Sequence, residues 1–119
     1  MAREGDFTAM SREEAKLNQR PIPEAALRDE NAVEMLRVWI AEGKLHCSMK
    51  VGMYRETGSI SEENAWGTIL ADVARHAANA LESGYSANSA KSLQMIWDSF
   101  TKELGSPTSE VRGKLDQKH

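Results

Sequence analysis

Residues 32–54 read AVEMLRVWIAEGKLHCSMKVGMY, and the rest of the chain is best understood as what surrounds them. The second half alternates: Leu45, Cys47, Met49, Val51 and Met53 fall on one side of an extended chain, His46, Ser48, Lys50, Gly52 and Tyr54 on the other. That pattern is a half-buried strand. In the first half, Ala32, Met35, Leu36, Trp39 and Ile40 fit a helical stripe, whereas Leu36, Val38 and Ile40 fit a strand face. The run is short and rich in Val, Trp and Ile. It meets the next strand across Glu42, Gly43 and Lys44, too few residues for a helix to turn and pack, so we read it as a strand.

Register then follows from matching faces, because a slip of one residue would reverse every side chain. A loop with an even number of residues, either Glu42-Gly43 or Ala41 to Lys44, sets Ile40 against Leu45, Val38 against Cys47 and Leu36 against Met49. Gly43 is placed to supply a positive φ. The opposite face carries Arg37 across from Ser48 and Trp39 across from His46, with Met35, Lys50 and Tyr54 nearby.

On either side of the hairpin the chain has recognisable punctuation. Residues 1–20 are polar, with Phe7, Met10 and Leu17 to bury, and read as a flexible arm in which Ser11 is placed to cap a short helix. Pro23 opens one helical turn through Leu27, and Asp29 to Asn31 break it. Arg55 to Gly58 read as a reverse turn. Ser61 is a good N-cap for a helix over about 62–83, whose stripe Trp66, Ile69, Leu70, Val73, Ala77, Ala80 and Leu81 should end at Gly84. Gly67 inside it suggests that the helix presses closely on a neighbour. A second amphipathic helix spans about 89–104, burying Ala90, Leu93, Ile96, Trp97, Phe100 and Leu104, and Gly105 and Pro107 stop it. Residues 106–119 read as a mobile polar tail.

The expected fold class is therefore α+β, two-layer, with an antiparallel hairpin over about 34–54 covered by two amphipathic helices in a single domain of residues 21–105. Nothing else alternates well enough to add a third strand. A two-stranded ribbon is marginal in water and leaves both edges open. A second copy pairing edge to edge, or face to face through Trp39, would close it, so a homodimer is expected. An N-terminal arm covering one edge is the other solution.

Composition narrows function more than it assigns it. The 119 residues carry a net charge of −3 with dispersed Lys and Arg, which gives no support to nucleic-acid binding. A single cysteine excludes an internal disulfide and fits a reducing compartment, and no apolar run suits a membrane span or a secretory signal, so a cytoplasmic protein is expected. There is no Gly-rich phosphate loop, Cys-x-x-Cys pair or nucleophile elbow, and no cofactor is called for. Cys47 and His46 point to opposite faces, which makes Cys47 a structural thiol. Asp72 and His76 lie four apart on one helix, but two ligands make no metal site, and a surface charge pair accounts for them.

The functional lead is the non-core strand face with Arg37, Trp39, His46, Lys50 and Tyr54, a mixture suited to a protein partner or a small anionic ligand. A non-enzymatic interaction or regulatory module is expected. The alternative is a small-molecule binder or minor enzyme whose pocket, between sheet and helices or at a dimer seam, draws on His46, Tyr54 or His76.

The hairpin sequence, followed by SEENAWGTILADVARHAANAL, resembles a small bacterial family known as a domain of unknown function over roughly residues 20–85. The similarity includes the Arg-Pro-Ile-Pro approach, the Leu-His-Cys strand and the Ala-Trp-Gly helix start. The resemblance implies a free-standing cytosolic bacterial protein and brings no catalytic residue with it.

Overall fold

The structure, a computed structural model, describes residues 17–108 and the backbone of residues 111–116. The Ser11 cap lies outside the described residues. The chain divides between Val33 and Glu34. In the first part, helix α1 (Glu24–Arg28) begins after Pro23, which serves as its N-cap. The Asp29 side chain accepts from the backbone N–H of Asn31 at 2.9 Å, an Asx turn that closes the helix.

The second part is α+β. Strand β1 (Leu36–Ala41) and strand β2 (Lys44–Lys50) form the antiparallel hairpin, with Leu36, Val38 and Ile40 opposite Met49, Cys47 and Leu45. The loop is the two-residue Glu42-Gly43. Both residues take positive φ, 54° and 74°, the primed geometry that matches strand twist. Glu42 shares a conformation expected of Gly43 alone.

The strand ends at Lys50, earlier than the alternation suggests. Gly52, at φ 112°, turns the chain into the short helix α2 (Met53–Thr57), which replaces the expected reverse turn. Helix α3 (Glu62–Tyr85) starts at Ser61, whose hydroxyl accepts from Asn64 N at 3.0 Å. It runs past Gly84, and Ser86 rather than that glycine adopts the left-handed closing conformation. Helix α4 (Ser89–Gly105) is capped by the Asn88 side chain, which accepts from Lys91 N at 2.9 Å. The short link between α3 and α4 makes them an antiparallel helical pair.

A third strand corrects the expectation of a lone ribbon and of a wholly mobile tail. Strand β3 (Val111–Asp116) pairs parallel to β2 with Leu45 opposite Val111 and Met49 opposite Leu115, giving the order β1-β2-β3. Parallel neighbours need a long crossover, and α2, α3 and α4 supply it. One edge of β2 is thereby closed, and β1 remains at the margin.

Burial departs furthest from expectation. The buried apolar residues among those described are Ala65 and Ala78. Ile40 and Val38, placed in the core by their alternation, are 80 % and 48 % exposed, and Cys47 is only half-buried. On the helices Leu70, Val73, Leu81, Trp97, Phe100 and Leu104 all count as exposed, although their spacing marks them as a face to be covered. Among the described residues no atom beyond the helix's own backbone lies within 4 Å of a Cβ built on Gly67, so none of them presses on the helix there. No helix among the described residues is long and apolar enough to cross a membrane.

Candidate functional site

The hairpin brings four of the five expected residues together. Arg37 pairs with Ser48, and Trp39 with His46, so Arg37, Trp39 and His46 share the face opposite Ile40 and Leu45. Lys50 continues that face, and its N–H donates to the carbonyl of Met35 at 3.0 Å, extending the ladder by one step. Tyr54 does not belong to it. It sits in α2, beyond the turn at Gly52, and half-buried.

The chemistry of this face is partly committed already. Arg37 Nη2 contacts both carboxylate oxygens of Glu34, at 3.0 and 3.2 Å, with both side chains about half exposed. An exposed pair of this kind is worth about 0–1 kcal/mol, so an incoming anion could displace Glu34 at little cost. Trp39 is half-buried beside the exposed Arg37. His46 Nε2 is shut off from solvent and has no hydrogen-bond partner among the described residues. An unpaired buried polar atom of this kind costs about 1–3 kcal/mol.

Glu62 is the residue that sequence reasoning underrated. A carboxylate in the first turn of α3 favours the helix dipole, and this one is also buried. Its carboxylate accepts from the backbone N–H groups of Gly52 at 2.8 Å, Arg55 at 2.9 Å and Tyr54 at 3.1 Å, and from Trp66 Nε1 at 3.1 Å. The Gly52 N–H foremost, aided by Arg55, Trp66 and Tyr54 and opposed by burial, holds its carboxyl below the ordinary carboxylate range. One side chain thus caps α2 and ties the end of the hairpin to the start of α3. Only the Trp66 contact, four positions on, has a signal in sequence; the capping role has none, because those partners are backbone groups seven to ten positions away.

Two clefts complete the surface. The first, about 640 Å³, runs between α3 and α4 and is lined by Gly67, Ala71 and Ala74 on one side and Leu93, Trp97 and Phe100 on the other. The second, about 850 Å³, lies between Leu45 of β2, Leu81 of α3, and Met95, Phe100 and Leu104 of α4. His46, Tyr54 and His76 line neither. Asp72 meets Arg75 at 3.0 Å rather than His76, and no group of three or more metal-ligating side chains occurs among the described residues.

Among curated proteins none matches the chain. A solved structure described as "a putative pyruvate dehydrogenase from the photosynthetic bacterium Rhodopseudomonas palustrus CGA009" is 28 % identical, with a TM-score of 0.60 over 85 % of this chain and 97 % of that one. The family profile for a domain of unknown function matches residues 19–108, as the Leu-His-Cys strand and Ala-Trp-Gly helix start suggested, and the chain belongs to that family, DUF5076.

Proposed function

We propose that the protein is a homodimeric, non-enzymatic interaction module of the bacterial cytoplasm. It presents the Arg37, Trp39, His46 and Lys50 face of its hairpin to a protein partner or a small anionic ligand. The observation that carries this reading is the lean interior. Folding must offset about 1–2 kcal/mol of backbone entropy per residue, chiefly by burying large apolar side chains at about 1.5–3 kcal/mol each. Among the described residues the buried apolar side chains are two alanines, while Leu70, Trp97, Phe100 and Leu104 are 40–70 % exposed. Association covers them. The strand face, with its exposed and displaceable Arg37–Glu34 pair, is then left for recognition.

A second reading rests on the cleft between β2 and α4, whose volume falls in the range of small-molecule pockets. Its lining is apolar apart from Ser92, Ser99 and Glu103, which suits an apolar ligand better than a reaction.

Replacing Trp39 with alanine separates the roles. The expected result is a folded, dimeric variant that no longer retains the companion held by the wild type, measured by sedimentation and by native mass spectrometry. A variant that falls apart into monomers would place Trp39 in the seam and refute the assignment of the strand face to recognition.

A further inference from the structure

Building on the dimeric reading, we propose that the second copy docks in the cleft between α3 and α4. Each chain inserts its Trp97 over the floor formed by Gly67, Ala71 and Ala74 of the other. These floor residues recur at spacings of four and three, so they lie on one side of α3, where with Leu70 and Arg75 beside them they form a low strip between larger side chains. Trp97, 59 % exposed, stands on the facing wall. A two-fold interface presents the same patch twice, so the patch must contain both the hole and the group that fills it. This one does.

Charge and area agree with a second copy. The α3–α4 cleft's cation, Arg75, is already matched by Asp72 at 3.0 Å, so laying that cleft on its copy brings no uncompensated like charges together there. Phe100 and Ile96 line both clefts, which makes the apolar surface continuous from Gly67 to Leu104. Along it Leu70, Leu81, Met95, Trp97, Phe100 and Leu104 are 39–70 % exposed. At roughly 100 Å² each they supply most of the ~800 Å² that each partner of a standard interface buries, before the alanine floor is counted.

Gly67→Lys tests the seam directly. The position is exposed and open around its Cβ, and lysine is the better helix former, so the single chain has no reason to unfold. Sedimentation equilibrium is run on wild type and variant, with far-UV circular dichroism as the check on folding. The expected result is a dimeric wild type and a helical variant whose dissociation constant rises about 100-fold or more, because a lysine is forced into an apolar seam. If the variant loses its helical signal, Trp97→Lys, at an already exposed site, is measured in its place. A variant that dimerises as tightly as wild type overturns the docking surface and leaves the dimeric reading standing. A monomeric wild type at ~100 μM overturns both. A small apolar molecule retained by single chains in native mass spectra assigns the cleft to a ligand and overturns the docking as well.

Discussion

Ile40→Thr separates what alternation suggests from what the fold does. Thr keeps the branched β-carbon, so strand preference is little changed and the effect reports on burial. Full burial of an isoleucine side chain is worth about 1.5–3 kcal/mol. Ile40 is 80 % exposed on the marginal strand β1, so about a fifth of that, roughly 0.5 kcal/mol, is at stake. At a core position the same change would cost about 2–5 kcal/mol, since the hydroxyl would also be stripped of water. Urea unfolding followed by circular dichroism resolves the two, because 0.5 kcal/mol moves the midpoint by only about 0.2–0.5 M at an unchanged slope. A loss above about 2 kcal/mol would refute the reasoning. It would mean that the Ile40 side chain is covered in solution.

Other outcomes follow from local geometry. Because the Glu62 pKa is depressed, its contribution is present above the ordinary value of 4.5 and is lost as pH falls through the lower folded value; melting temperature should drop on that acid limb, and Glu62→Gln should flatten the drop. An acid limb unchanged by the substitution would remove Glu62 from the account. Ser61→Ala and Asn88→Ala each delete a side-chain cap and should cost about 1 kcal/mol in urea unfolding, additively because they serve different helices. Arg75→Ala breaks a pair exposed by more than half on both sides, so the isolated chain should lose less than about 1 kcal/mol, measured well below the dimer dissociation constant.

Much of the hairpin was legible, because face matching allows one register and an even loop satisfies it. The helices were legible from their stripes and from Ser61. Where the chain departs from this pattern, a single residue or a distant partner decides. Gly52 fits the alternation as a strand residue, but its freedom at positive φ lets the chain turn, and Tyr54 leaves the site with it. Strand β3 was missed because Val111 and Leu115 are its large apolar residues, with Gly113 between them. Its pairing is created by the crossover rather than by local pattern. The stripe on α3 and α4 records that something covers Leu70, Phe100 and Leu104, and periodicity carries no information about which chain does so. Trp97 was therefore assigned to a core that one chain does not build.

The claim beneath the rest is that one copy leaves its own core unfinished. Sedimentation equilibrium of the full chain, from about 1 to 100 μM, tests it most directly. A mass of twice the chain mass, falling toward a single chain only on dilution, is expected. One chain mass throughout, with cooperative unfolding that does not vary with concentration, would contradict it.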